Sequence, residues 1–145
     1  MNKSTKYSKV LFILHMPPPV HGASMVGKYI HDSKIINNAF ECHYLNLALA
    51  KDLDDIGKGG IRKLKEFYKL KQIRKQTKLI VPQLCYVTPN AKGGAFYKDF
   101  FVVMLLKMMR QNIVVHYHNK GIATRQNRYF DNLLYSTFFK NLKVI

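Results

Sequence analysis

Short apolar runs alternate with longer amphipathic stretches along the whole chain. Between the runs, apolar residues recur three or four positions apart, which is the spacing of a helix that buries one side. The runs are rich in β-branched and aromatic residues and have the length of strands. They fall at residues 10–15, 40–47, 84–88, 113–118 and 142–145. The pattern therefore predicts five strands separated by helices.

This alternation is typical of an α/β fold with a parallel sheet. With right-handed crossovers it predicts a doubly wound, Rossmann-like sheet in three layers, α/β/α, with the strand order 3-2-1-4-5. In that order strands 1 and 4 are neighbours. The segments 16–24 and 116–125 then face each other across the crevice at the carboxyl ends of these strands. Ligand chemistry is expected in those two segments.

The predicted helices differ in how much of their surface is apolar. The first begins near Ser24, and the second follows the glycines at 57–60 with an apolar stripe that shifts around its axis, which indicates a bend or two buried faces. The third begins after Gly93 and is apolar on most sides, as expected of a helix covered by the rest of the protein. It is too short and, at Asp99, too polar to cross a membrane. The fourth covers residues 126–140.

The most distinctive segment follows the first strand. Residues 17–24 read Pro-Pro-Pro-Val-His-Gly-Ala-Ser and join that strand to the start of a helix. In open α/β sheets the helix after the first strand presents backbone amides to anionic groups. A phosphate or sugar site is expected here, and its candidate residues are His21, Gly22, Ala23 and Ser24.

The phosphate-binding loop of nucleotide hydrolases is a competing interpretation of the same stretch. Residues 22–28 come within one residue of that motif, but Tyr29 stands where the loop needs Ser or Thr to hold magnesium. Gly27 is more simply a small residue where the helix packs close to the strand. A dinucleotide-binding GxGxxG motif does not follow the first strand either.

Four of the six histidines, His15, His21, His116 and His118, lie in or directly before the two segments that should border the crevice. Alternation places His116 and His118 on the same side of their strand. Neither segment contains Asp or Glu, so a metal site is not favoured. His116, further back in the strand, suits a packed and hydrogen-bonded histidine and is also a substrate-binding candidate. His118, beside Asn119 at the strand's exit, can donate to a sugar hydroxyl or to developing oxygen charge.

Length and composition limit the class of protein. The chain has 145 residues, of which 48% are apolar, enough for one domain with a core. The first apolar run is too short for a signal peptide or a membrane span. Cys42 and Cys85 are isolated, so a reducing, cytoplasmic location is expected. The final β-branched pair, Val144 and Ile145, looks like a strand cut short, so we expect a fragment.

The chain is strongly basic, with 24 Lys and Arg against 8 Asp and Glu. Nine of these cations lie between residues 58 and 78, where Glu66 is the only acid. Such a run is either a solvated helix face or a surface that attracts anionic lipid. Nucleic acid is a poorer partner because the aromatic residues follow core patterns. The membrane-surface candidates are Lys58, Arg62, Lys63, Lys65, Lys69 and Arg74.

Three segments together carry a resemblance to a known family. Residues 10–15, the Pro-Pro-Pro-Val-His-Gly-Ala-Ser loop at 17–24 and Ile-Val-Val-His-Tyr-His-Asn at 113–119 resemble the N-terminal domain of family 4 (group 1) retaining glycosyltransferases of the GT-B type. The resemblance covers almost the whole chain. It implies that residues 1–145 form one acceptor-side, Rossmann-like domain and that a nucleotide-binding C-terminal domain is absent from this sequence.

The resemblance also implies roles for single residues. The amides of Gly22 and Ala23 would lie near the sugar and phosphate of the donor. His118 would act at the reacting sugar, and Asn119 would support its orientation. The co-substrate would be a UDP- or GDP-sugar, with no metal or further cofactor, and the paired glutamates and the basic residue for the diphosphate would lie in the absent domain. The fragment alone is therefore expected to be inactive.

The same resemblance implies a setting in cell-envelope polysaccharide biosynthesis. The acceptor would be a glycan or a lipid-linked molecule, and the protein would be cytoplasmic or peripheral on the inner face of the membrane. The alternative is a basic α/β module that binds a membrane surface or nucleic acid without catalysis. These two interpretations remain open at the level of sequence.

Overall fold

The computed structural model describes residues 8–18, 20–47, 60–90, 93–117 and 129–145. Strands and helices alternate along these ranges as the sequence pattern predicts, which confirms an α/β fold. Most predicted strand limits are right to within one or two residues. The elements in chain order are β1 (Lys9–Leu14), α1 (Gly22–Asp32), α2 (Lys34–Ala39), β2 (Glu41–Asn46), α3 (Gly60–Ile80), β3 (Leu84–Val87), α4 (Gly93–Met108), β4 (Ile113–Val115), α5 (Tyr129–Phe139) and β5 (Lys143–Val144).

All five strands are parallel and form one sheet in the order β2-β1-β3-β4-β5. β1 pairs with β2 on one side, from Lys9 opposite Glu41 to Leu14 opposite Asn46, and with β3 on the other. The predicted order 3-2-1-4-5 is therefore wrong. Strand 3 does not lie outside strand 2, and strand 4 is not a neighbour of strand 1.

The composition of β2 explains the difference in strand order. An interior strand of a parallel sheet is buried on both faces and is almost entirely apolar. β1 meets this condition, with five of its six residues buried, whereas β2 reads Glu-Cys-His-Tyr-Leu-Asn and has no fully buried residue. β2 therefore forms an edge of the sheet. The next strand adds on the free side of β1, and α3 crosses over β1 to reach it.

Helices cover both faces of the sheet. Alternate residues of β1 enter two separate apolar clusters, with Leu11 and Ile13 in one, and Phe12 and Leu14 in the other. The first cluster contains buried residues of α3, α4 and α5, and the second is covered by α1 and α2. The doubly wound, three-layer arrangement is thus confirmed.

Two helices differ in detail from the sequence pattern. The first predicted helix is divided at Ser33, which ends α1 and caps α2 because its hydroxyl accepts a hydrogen bond from the Ile36 amide at 3.3 Å. α3 is one continuous helix, with Ile73 and Thr77 buried against the core. Among the described ranges, no helix combines the length and the apolar composition that crossing a bilayer requires.

Lys107 of α4 fixes the end of α5. Its ammonium donates hydrogen bonds to the carbonyl oxygens of Thr137, Phe138 and Lys140 at 2.9, 2.6 and 2.8 Å. The last carbonyls of a helix have no partner within the helix and carry partial negative charge, so a cation there is favourable. Burial, and secondarily the charge of Lys140, lowers the pKa of Lys107, so desolvation offsets part of the gain.

We expect Lys107→Met to lower the free energy of unfolding by about 1–2 kcal/mol, because it removes three charge-assisted hydrogen bonds and keeps the apolar stem. Urea unfolding measures this as a lower midpoint with an unchanged slope. Lys140→Met is the matched control, and it should leave the midpoint unchanged or raise it slightly because it removes a like charge. Equal midpoints for Lys107→Met and the unmodified chain would contradict this role.

Candidate functional site

The observed strand order moves the crevice to the carboxyl ends of β1 and β3. The chain leaves β1 toward α1 on one face of the sheet and leaves β3 toward α4 on the other, so the two helices diverge. Such a switch point is where open α/β sheets bind ligands. The loop after β1 therefore lies beside residues 88–90. Strands 1 and 4 are not neighbours, because β3 separates β1 from β4. Most of the segment 116–125, which was predicted to face this loop, lies outside the described residues.

His21 caps the N-terminus of α1. Its Nδ1 accepts a hydrogen bond from the amide of Ser24 at 3.3 Å, and the Ser24 hydroxyl accepts one from the amide of His21 at 2.9 Å. This reciprocal pair satisfies two backbone amides and fixes where the helix begins. Because Nδ1 of His21 is an acceptor here, the ring proton lies on Nε2. Ser24 is fully buried, so its described contacts are structural.

The first turn of α1 leaves amides for a ligand. No described residue accepts a hydrogen bond from the amides of Gly22 or Ala23. Gly22 is exposed, and a Cβ added to it would meet nothing within 4 Å. These amides carry the positive end of the helix dipole, which favours an anionic ligand. His21, Gly22 and Ala23 thus lie at the N-terminus of α1, and their contact with a ligand stays a prediction.

Gly27 allows α1 to approach β1 closely. A Cβ at this position would lie 2.0 Å from the backbone oxygen of His15 and 3.3 Å from Sδ of Met16. The first distance is far below any real carbon–oxygen contact, so only glycine fits. This confirms the sequence-based interpretation of Gly27 as a packing residue, and it places the start of α1 directly beside the end of β1.

A polar cluster of His15, Asn90 and Asp99 joins the end of β1 to the loop after β3. Oδ2 of Asp99 accepts from the Asn90 backbone amide at 2.9 Å and from its side-chain Nδ2 at 2.7 Å. Nδ2 of Asn90 also lies 3.0 Å from Nε2 of His15. Asp99 is only 2% exposed, and its Oδ2 is 3.6 Å from Nε2 of His15. The rings of His15 and His21 are 6.1 Å apart, so the cluster borders the α1 cap.

Sequence reasoning missed Asn90 and Asp99 as site residues. The signal was present, because Thr88, Pro89 and Asn90 directly follow β3, and Asp99 is the one acid of the mostly apolar α4. A buried carboxylate in such a helix needs hydrogen-bond partners. The predicted strand order separated strand 3 from strand 1, so it gave no reason to expect Asn90, after strand 3, to lie near His15 at the end of strand 1.

His116 is a packed residue in the structure. Its Nδ1 forms a hydrogen bond with the hydroxyl of Tyr86, and the two rings meet edge to face with centroids 5.9 Å apart. Burial raises the pKa of Tyr86, so its hydroxyl stays protonated and donates to Nδ1. His116 as a substrate-binding residue stays a prediction.

Tyr117 places a buried hydroxyl next to the crevice cluster. This oxygen is the one buried side-chain polar atom without a hydrogen-bond partner in the described part of the chain. Burial, followed by the charges of Asp99 and Tyr135, raises the pKa of Tyr117, so the hydroxyl remains a neutral donor.

Several predicted site residues lie outside the described residues. These are His118 and Asn119, and also Lys58. The side chains of Arg62, Lys63 and Lys65 are outside the description as well, although α3 includes their backbone. Their roles stay predictions.

Lys69, which the sequence predicts to be a membrane-surface cation, forms an ion pair within the fold. Its ammonium lies 2.9 Å from Glu66, and its side chain is 13% exposed. Lys98 of α4 pairs with the same carboxylate at 3.1 Å. Although burial alone would raise the pKa of Glu66, the two lysines hold it below its ordinary value. The charge of Lys69 is therefore already paired within α3, and Glu66 links α3 to Lys98 of α4.

The outer face of α3 combines cations with exposed aromatic residues. Helical spacing places seven residues on one stripe of this face, and the burial pattern leaves all seven exposed. Phe67 and Tyr68 are 67% and 60% exposed, which is unusual for rings of this size. The stripe, called the α3 stripe below, consists of Phe67, Tyr68, Lys71, Arg74, Lys75, Lys78 and Leu79.

Within the described residues, no group of three or more His, Cys, Asp or Glu side chains is placed to hold a metal ion. The crevice instead offers hydrogen-bonding side chains beside a helix N-terminus.

Comparison with known proteins finds no family model, curated protein or solved structure that matches the chain. The geometry of the crevice is therefore the basis for any functional conclusion.

Proposed function

We propose that this chain is the acceptor-side domain of a retaining glycosyltransferase of the GT-B type, which uses a UDP- or GDP-sugar. The observation that supports the proposal is the crevice between β1 and β3. There the amides of Gly22 and Ala23 lie beside the polar side chains of His15, His21 and Asn90. A nucleotide-sugar needs an anion site next to hydroxyl-binding groups, and the amides and polar side chains of this crevice are of the kinds that serve these two purposes.

In this proposal the chain's own residues bind and orient the sugar end of the donor. The amides of Gly22 and Ala23 interact with phosphate oxygens, whose negative charge grows as the leaving group departs. Fixed amides at a helix N-terminus stabilise such charge without reorganisation. His118 and Asn119 contact the transferred sugar, and the nucleotide is held mainly by a second domain. The proposal assigns no metal ion to the transfer of the sugar.

The proposal is tested by assaying sugar transfer and donor hydrolysis with a panel of UDP- and GDP-sugars. The protein assayed carries this domain followed by its nucleotide-binding domain, and the 145-residue chain is assayed beside it. We expect turnover with one donor class in the former and none in the latter. Robust turnover by the 145-residue chain alone would refute the proposal that a second domain is needed to hold the nucleotide. No turnover by the longer protein with any donor would refute the proposed activity.

A second property, binding to an anionic membrane surface, is supported by the α3 stripe. Four cations flank three exposed apolar side chains on one side of a long helix. Basic residues that surround aromatic ones favour the interface of anionic bilayers, where the rings insert between headgroups and the cations face phosphate. Such a surface would hold a cytoplasmic enzyme on the inner face of the membrane, close to a lipid-linked acceptor.

We expect the chain to float with phosphatidylserine-containing liposomes at low salt and to stay unbound with neutral ones. Lys71→Glu combined with Lys75→Glu should weaken binding at least ten-fold, since each cation near such a surface contributes about 1 kcal/mol. The matched control, Lys34→Glu combined with Lys140→Glu, changes net charge equally on exposed sites elsewhere. Equal losses in both double variants would show that total charge, rather than the α3 stripe, directs binding.

A further inference from the structure

Asp99 decides the orientation of the Asn90 side chain. Oδ2 of the carboxylate lies 2.7 Å from the atom assigned as Nδ2 of Asn90 and also accepts from its backbone amide. The flipped amide would place Oδ1 against the carboxylate, which would bring two acceptors together without a proton between them. The donor Nδ2 is therefore the atom that also faces His15.

The orientation of Asn90 in turn decides the tautomer of His15. An amide nitrogen only donates, so Nε2 of His15, 3.0 Å away, must accept and carries no proton. The ring proton then lies on Nδ1. No described residue accepts a hydrogen bond from this Nδ1–H, and the side chain of His15 is 14% exposed. A donor is therefore held at the end of β1 with no partner among the described residues.

We propose that His15 is a ligand-contacting residue whose Nδ1–H donates to a hydroxyl oxygen of a neutral sugar. Asn90 and Asp99 are positioning residues that hold the required tautomer. The identity of the ligand as a sugar rests on the proposed function, whereas the tautomer follows from the hydrogen bonds alone. The sequence-based candidates His21, Gly22 and Ala23 do not include any of these three residues.

The charges around His15 differ from those around the first turn of α1, where the phosphate is proposed to bind. The buried carboxylate of Asp99 lies 3.6 Å from Nε2 of His15, and no Lys or Arg of the described ranges pairs with it. Its negative charge disfavours an anion beside His15. The dipole of α1 favours one at Gly22 and Ala23. We therefore assign a neutral hydroxyl to His15 and the phosphate to the first turn of α1.

The tautomer is tested by ¹⁵N NMR of the histidine rings in the 145-residue chain above the titration range of histidine. We expect His15 of the unmodified chain in the Nδ1–H form. Asp99→Asn and Asn90→Ala should lose that preference. His43→Gln, in the edge strand β2 opposite Leu11 rather than at the end of β1, should leave it unchanged. Thermal unfolding of each variant shows whether it remains folded. His15 with its proton on Nε2 in the unmodified chain would overturn the inference.

Binding is measured by titrating glucose, mannose and N-acetylglucosamine, and separately inorganic phosphate, into the same samples. We expect a sugar to shift the His15 ring signals, and we expect the two crevice variants to bind it about ten-fold more weakly. Phosphate should shift the amides of Gly22 and Ala23 equally in all samples. Sugar binding that is unchanged in folded variants would overturn the role of His15 and leave the proposed function intact. A chain that binds neither sugar nor nucleotide-sugar would overturn both.

Discussion

Gly27→Ala is expected to lower the free energy of unfolding by about 3 kcal/mol, the upper end of what overpacking usually costs. The added Cβ would lie 2.0 Å from the backbone oxygen of His15. That oxygen cannot retreat easily, because the amide of His15 bonds to Thr88 and the carbonyl of Leu14 accepts from Leu47 at 2.7 Å. α1 must move instead, and its buried residue Ser24 loses its packing.

The effect is measured by thermal and urea unfolding of Gly27→Ala beside Gly22→Ala. We expect the melting temperature of Gly27→Ala to fall by about 10 °C, given the usual 2–4 °C per kcal/mol in domains somewhat larger than this. The control adds the same methyl group to the same helix, where it meets nothing within 4 Å. Its stability should stay within about 0.5 kcal/mol of the unmodified chain. Equal stability of the two variants would contradict the close packing of α1 on β1.

His118→Ala is expected to lower kcat/KM for sugar transfer by about 10²–10³-fold in a protein that joins this chain to the proposed nucleotide-binding domain, as loss of one donor to developing charge does elsewhere. The prediction rests on the family resemblance and on the place of His118 in the sequence, three positions after the last residue of β4. The side chain would donate to a hydroxyl near the reacting carbon, and this contact strengthens as charge develops in the transition state.

The control for this variant is His43→Ala. His43 is a partly exposed histidine in the middle of the edge strand β2, hydrogen-bonded to Glu41 at 3.1 Å and paired with Leu11 rather than with the carboxyl end of β1. Its loss should leave turnover unchanged. Circular dichroism and melting temperature show that both variants are folded. Turnover by His118→Ala equal to that of the unmodified protein would keep the reaction class and remove His118 from the site.

The elements of this fold could be predicted from sequence because each depends on local periodicity. Apolar runs bounded by Pro, Gly and Asn predicted all five strands, and the first turn of α1 was found because His21, Gly22 and Ala23 are adjacent in the chain. Gly27 was also correctly interpreted, since a glycine in an otherwise ordinary helix usually marks a close approach. These inferences need no knowledge of which strands are neighbours.

The strand order and the His15 cluster could not be predicted in the same way. The order depends on the edge position of β2, which its polar composition explains once it is compared with the buried β1. The hydrogen bond between His15 and Asn90 joins residues 75 positions apart. It can form only because β3 lies beside β1. The predicted strand order placed strand 3 elsewhere, so it did not predict the contact. His118 was predicted from the sequence alone, and this stays a prediction because the residue lies outside the described ranges.

The central claim, that the crevice between β1 and β3 binds the sugar and phosphate of a nucleotide-sugar, is tested most directly by residue-resolved NMR. UDP-glucose and GDP-mannose are titrated into the ¹⁵N-labelled 145-residue chain. We predict that the largest shifts occur at the amides of Gly22 and Ala23 and at the side chains of His15 and Asn90. Shifts confined to the α3 stripe, or no shifts with either donor, would contradict the claim.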